Sequence, residues 1–177
     1  MDDAVAQTAT ESSIEHGDER SDPMRVVGYL DPNSRLTLRE GLAEYRAANV
    51  GEGFFEESEL RQEARALFHN HDRVHVVFGL TTDVRHEVLA DSWTLFGADI
   101  PWRDYLAYIR EPAARKALEN IGTCHALWVS LLTLPDIVRV YFRSRAMTKM
   151  WPWADHEPFL DVPLVELRQE FGIRLLA

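Results

Sequence analysis

Apolar side chains recur along this chain at helical spacing, and no alternating strand pattern runs for more than a few residues. Leu36, Leu38, Leu42 and Tyr45 mark one amphipathic helix, with a start favoured by Asp31-Pro32-Asn33-Ser34 and an end favoured by Asn49 to Gly53. From Leu60 a second stripe runs through Ala64, Leu67, His71, Val74, His75 and Phe78, which is one buried helix face. Gly79-Leu80-Thr81-Thr82-Asp83 then supplies a glycine to end that helix, hydroxyls to cap the next and an acid for its first turn. Glu87 falls in the second turn of the new helix beside Val84 and Val88, and Trp93, Leu95 and Phe96 carry it on to Gly97. Pro101-Trp102-Arg103-Asp104 opens a further helix, which Glu111-Pro112 must break or kink because proline lacks the amide hydrogen. A short helix follows to Ile121, closed by Gly122. Cys124 to Leu134 is the most apolar stretch but falls short of the ~20 residues a membrane span requires. Pro135 restarts the helix with Ile137, Val138, Val140, Tyr141 and Phe142. These elements predict an all-α fold, a compact single-domain helical bundle.

The second stripe carries the chemistry. His71-Asp72-Arg73-Val74-His75 is followed, after eleven residues, by Glu87. At about 100° per residue, His71 and His75 lie about 40° apart and Asp72 about 60° beyond His75, so three potential ligands share one helix edge. An antiparallel hairpin would return the Glu87 carboxylate towards both imidazoles, with Asp91 one turn further along the same face. Two imidazoles and one or two carboxylates suit a single divalent ion: zinc, manganese, iron or cobalt. The alternative is a pair of core histidines hydrogen-bonded to Asp72 and Glu87 with no ion. Burying all four groups without a cation would leave costly charges to neutralise. His86 and Arg85 flank Glu87 and are candidates for supporting the ligands or touching substrate, whereas His69 points nearly opposite His71. His125 and His156 are whole elements away and are not assigned to the site.

Composition limits the remaining possibilities. A chain of 177 residues with 46% hydrophobic content suits one domain with a substantial core. A formal charge of -10 argues against general nucleic-acid binding, which needs a basic surface. The single cysteine, Cys124, rules out an intramolecular disulfide and reads as a small buried residue. Residues 1–23 are rich in Asp, Glu, Ser, Thr and Ala and read as a disordered acidic tail in which His16 is solvated, leaving 24–177 as the helical domain. That tail is too acidic for a mitochondrial transit peptide and lacks the apolar run of a secretory signal, so a bacterial cytoplasmic setting is expected. Gly51-Glu52-Gly53 lacks the strand and lysine of a phosphate-cradling loop. Arg139, Arg143, Arg145 and Lys149 form a basic run without acids, readable as a solvated face or as contact with anionic headgroups or a substrate carboxylate. Trp151, Trp153 and Phe159 are candidates for interfacial anchors or for core.

The metal stretch resembles the motif of the coenzyme Q biosynthesis family called Coq-four: His71-Asp72-x-x-His75, eleven residues, then Glu87. Trp153-Ala154-Asp155-His156-Glu157, leading through Pro163-Leu164-x-x-Leu167-Arg168-x-x-Phe171-Gly172-Ile173, is similar to the closing segment of that family. The likeness spans residue 25 to the end. It implies a helical protein with His71, Asp72, His75 and Glu87 as metal ligands, peripheral on the inner face of the cytoplasmic membrane. It further implies a polyprenylated quinone precursor as ligand, other ubiquinone-synthesis enzymes as partners, and oxidative replacement of the ring C1 carboxyl by a hydroxyl; a homodimer is compatible with it. Two rivals remain: a non-catalytic lipid-binding scaffold with a closed four-ligand metal, and a metallohydrolase, since HDxxH is similar to HExxH with a shorter acid.

Overall fold

A computed structural model describes residues 27–49, 62–112 and 122–176. Of the expected features, the acidic tail at 1–23, the start of the second stripe at Leu60, the Gly51-Glu52-Gly53 loop and the short helix up to Ile121 lie outside the described residues. The described elements are a 3-10 turn at Gly28–Leu30, α1 (Leu38–Ala48), α2 (Gln62–Phe78), α3 (Val84–Gly97), α4 (Trp102–Arg110), α5 (Thr123–Arg145), a second 3-10 turn at Glu157–Phe159 and α6 (Leu164–Phe171). The expectation of an all-α domain holds, and only two isolated backbone bridges occur among the described residues.

α1 starts later than the turn residues suggested. Asp31 to Ser34 form a separate turn closed by the Asp31 carbonyl and carboxylate, and Thr37 caps the helix in a reciprocal box with Glu40. The starts of α1 and α6 also satisfy one another's spare amides. Leu38 and Arg39 donate to the carbonyls of Val162 and Leu160, while Leu164 and Val165 donate to those of Leu36 and Ser34. This pairing explains how the Pro163-Leu164 segment locks onto the N-terminal half of the chain.

The core holds Tyr29, Leu38, Leu42, Tyr45, Val74, Phe78, Leu89, Trp93, Trp151 and Leu167. Trp151 and Trp153 are both buried in it, which removes them as membrane anchors. α2 and α3 form the expected antiparallel hairpin. Gly79 turns the chain at φ +65, where a side chain would be strained and a Cβ would meet Leu175 at 2.7 Å. The cap of α3 is the Asp83 carboxylate, which accepts from the amides of Arg85 and His86, so the acid takes the role expected of the hydroxyls. Glu87 consequently lies in the first turn of α3, one turn earlier than expected. At Gly41 a Cβ would stand 2.8 Å from Val76, and its absence lets α1 lie close against the hairpin.

α5 departs from the expected break, running unbroken through Pro135. Pro135 cannot donate to the Leu131 carbonyl, and both residues lie on the exposed side of the helix. Arg85 of α3 binds Asp136 and fastens this part of α5 to α3, while Arg139 pairs with Asp136 within α5. Cys124 is exposed at the start of α5, contrary to the buried position expected of it. Arg168 is a deeply buried charge, 3% exposed, and donates to the carbonyls of Tyr29, Asp31, Val76 and Val77. It thereby caps the C-terminal end of α2, just beyond His75.

Candidate metal centre

The hairpin brings His71, His75 and Glu87 together. The Nε2 atoms of the two histidines stand 3.2 Å apart. One Glu87 oxygen is 3.4 Å from His71 Nε2, and the other is 3.4 Å from His75 Nε2. Ligand atoms ~2.05 Å from a shared tetrahedral zinc-sized ion would be about 3.3 Å apart, so all three separations fit one small cation. The spacing arises from sequence: α2 puts the imidazoles one turn apart on its inner face, and the capped start of α3 fixes Glu87 opposite them.

The surroundings hold these rings in place. His75 is fully buried and stacks on Tyr45 at 5.3 Å; His71 lies against Tyr108 at 5.0 Å. Both tyrosine hydroxyls are pushed up by burial first and by nearby carboxylates second, so they stay protonated. Sequence reasoning placed Tyr45 in scaffold and did not single out Tyr108. Tyr45 was visible as part of an inner helix face, but its partner was not, and nothing local marks Tyr108.

Electrostatics favour positive charge here. Burial pushes the Glu87 carboxyl up, but the charges and hydrogen bonds of His75 and His71 outweigh it and hold it well below the usual carboxylate range. For His71 burial acts downward, yet its hydrogen bond to Glu87 and the charges of Asp91, Glu87 and Asp72 raise it. The Nδ1 atoms of both histidines are buried without a hydrogen-bond partner. With no cation, the facing Nε2 atoms, 3.2 Å apart, would share a proton and meet Glu87 through long contacts of 3.4 Å. A divalent ion accepts both Nε2 lone pairs at once, so the residues fit a metal. Glu87 keeps 36% of its side chain accessible, leaving an approach from solvent.

Asp72 is not one of the three residues whose ligand atoms gather here, although the His71 and His75 charges act on it. Its carboxylate lies 3.9 Å from Arg46 of α1, and burial raises its pKa against the pull of His71, His75 and Arg46. Asp91, one turn beyond Glu87, has a buried Oδ1 with no hydrogen-bond partner. Burial raises its pKa too, although His71 and His75 oppose that effect. His86 is held by Thr81 and Asp83 in the interhelical turn, and Arg85 is held by Asp136, so neither is free to serve the cluster. His156 bonds the Pro152 carbonyl and stacks on Trp151, while His125 is exposed on α5.

Compared with known proteins, the chain matches no family model, no curated protein and no solved structure. The likeness to Coq-four therefore rests on the two sequence motifs.

Proposed function

We propose that this chain is a divalent-metal enzyme of ubiquinone biosynthesis that replaces the C1 carboxyl of a polyprenylated hydroxybenzoate with a hydroxyl. The observation that supports it most is the three-residue cluster of His71, His75 and Glu87, spaced for one ion and reachable from solvent on the Glu87 side. Three protein ligands leave a coordination position for substrate, as in catalytic rather than structural sites. In the overall reaction the carboxyl leaves as carbon dioxide and a hydroxyl takes its place, a two-electron oxidation in which one water is consumed and dioxygen accepts the two electrons and leaves as hydrogen peroxide. The bound ion would supply Lewis acidity, stabilising negative charge on the substrate oxygens.

The chain's own residues bind and shield. His71 and His75 hold the ion, and Glu87 offsets its charge. Tyr45 and Tyr108 fix the imidazole planes and exclude water from the inner side of the cluster. The exposed side of α5 offers apolar surface for a prenyl tail or a bilayer: Leu127, Trp128, Leu131, Leu132, Val138 and Phe142, of which Leu127 is 72% and Phe142 66% exposed. No helix among the described residues is long and apolar enough to cross a membrane, so contact through this face would be peripheral. In this reading the protein sits on the inner face of a bacterial cytoplasmic membrane among other ubiquinone-synthesis enzymes.

The same apolar face favours a second reading, a lipid-binding scaffold for those enzymes in which the metal only braces the hairpin. The hydrolase reading gains nothing, since the acid it needs as a base, Asp72, faces Arg46. The deciding experiment is mass spectrometry of a prenylated hydroxybenzoate incubated in air with metal-loaded protein, beside His75→Ala. Loss of the carboxyl with gain of a hydroxyl, absent from the variant, supports the enzyme. Substrate retained unchanged by metal-loaded wild-type protein favours the scaffold.

A further inference from the structure

α4 is attached to the molecule through a single side chain. Pro101 precedes it and Glu111-Pro112 follow it, and the backbone is extended at both ends, with ψ 133 at Pro101 and ψ 130 at Glu111. Proline at these places keeps the short rod from fusing with its neighbours. Tyr108 is its one buried residue. Among the described residues no hydrogen bond or ion pair joins the side chains of Trp102–Arg110 to another element; Arg103 binds Asp104 within the helix. The N-terminal end stands off its surroundings, since Pro101 and Asp104 line an open pocket of about 250 Å3 together with Asp99, Pro152, Trp153 and Asp155. What holds the helix is the Tyr108 ring, 5.0 Å from the ring of His71, 6.0 Å from that of Phe68 and 6.4 Å from that of Trp153. The same ring covers His71, which is 6% exposed.

We infer that α4 is a hinged cover over the metal centre, latched by Tyr108, and that it lifts to admit an aromatic ligand to the ion. The inference rests on the metal reading above and adds the route of access. The open side of Glu87 admits an ion, water or a small anion. A substituted benzene ring brought up to two buried imidazoles has to displace a packed group. α2 and α3 carry the ligands, and α1 is tied to α6 by paired backbone hydrogen bonds, so moving any of these dismantles the centre or breaks that pairing. Lifting α4 uncovers one phenol ring and breaks no polar tie of its side chains, and segments with few buried contacts open locally at low cost. The place that Tyr108 leaves is bordered by Phe68, His71 and Trp153, so an incoming ring meets the partners the phenol had. Tyr108 is thus a positioning residue, packing His71 while the site is empty and yielding to the ligand.

The first test is hydrogen exchange of the wild-type protein, with and without metal. The hydrogen-bonded amides of α4 should exchange together, about 100-fold or more faster than those at the centres of α2 and α3; α4 amides that open only with global unfolding overturn the cover, whether or not any variant folds. The second test loads Co2+ and follows its visible spectrum on rapid mixing with azide or with 4-hydroxybenzoate. Tyr108→Ala should speed 4-hydroxybenzoate binding on the order of tenfold, while azide stays within about threefold of wild type and Tyr108→Phe matches wild type for both. Unchanged 4-hydroxybenzoate rates in Tyr108→Ala, or both ligands speeded alike, overturn the gate while leaving the metal centre intact. A wild-type protein that takes up no Co2+ refutes the metal reading, and the exchange of α4 still decides whether the helix opens.

Discussion

Replacing Arg168 with Met removes a buried guanidinium that four backbone carbonyls share. Two of them, Val76 and Val77, end α2, while Tyr29 and Asp31 belong to the N-terminal turn; the four contacts span 2.6 to 3.0 Å. Afterwards Val76 keeps only a long 3.4 Å contact from the Gly79 amide. The Asp31 carbonyl keeps the Ser34 amide, so the cost falls on the other three; each buried acceptor left short of a donor costs about 1–3 kcal/mol, a gross loss of about 3–9 kcal/mol. Methionine fills part of the volume and needs no charge desolvated. That gain is real here, since burial already pulls the Arg168 pKa down to about 10. Breaking a buried charged network from one side typically leaves a net loss of about 3–5 kcal/mol. For a chain of this size that is a fall in Tm of about 6–20 °C. Thermal unfolding followed by circular dichroism, with urea titration for the free energy, measures it. A Tm within about 2 °C of wild type would refute the claim that Arg168 joins α2 to the N-terminal turn.

The pKa of His156 is pushed down to about 4, chiefly by burial and then by the Arg73 charge. Between pH 6.5 and 4 the unfolded chain therefore binds a proton that the folded chain refuses, and stability should fall with pH by up to about 3 kcal/mol. Urea titrations across that range should show a shallower fall in His156→Gln; parallel curves would contradict the buried neutral ring. Metal affinity should rise with pH as His71 gives up its proton, because the ion needs a neutral imidazole; chelator competition from pH 5.5 to 8 checks this, and a flat profile would speak against His71 as a ligand. Changing Leu127, Trp128 and Phe142 together to Ser should weaken pelleting with phospholipid vesicles at least tenfold, on the order of 1 kcal/mol or more per side chain. Their exposure means Tm should barely move, and unchanged pelleting would argue against α5 as the lipid face.

The helical repeat and the hairpin could be read from sequence because both depend on local periodicity. His71, Val74, His75 and Phe78 occupy one stripe, Gly79 has to turn, and Glu87 has to come back. What local pattern could not supply was the partner each side chain meets. Asp72 meets Arg46 only through where α1 lies, which no pattern within α2 discloses. Pro135 reads as a break until its solvent-facing position is known. The basic run was half-legible: Arg139 is held by Asp136, Arg143 by the carbonyls of Arg174 and Leu175, and Lys149 by Glu170. These partners fit a braced surface better than a ready headgroup clamp. Trp151 and Trp153 were equally readable as anchors or core, and packing from distant elements decided for core.

The central claim is that His71, His75 and Glu87 hold one divalent ion. Elemental analysis of dialysed protein after loading with zinc, manganese, iron or cobalt, beside His75→Ala prepared identically, tests it most directly. About one ion per wild-type chain is expected for at least one of these metals, and close to none for the variant. Equal metal content in the two proteins, or none in the wild type with all four metals, would contradict it.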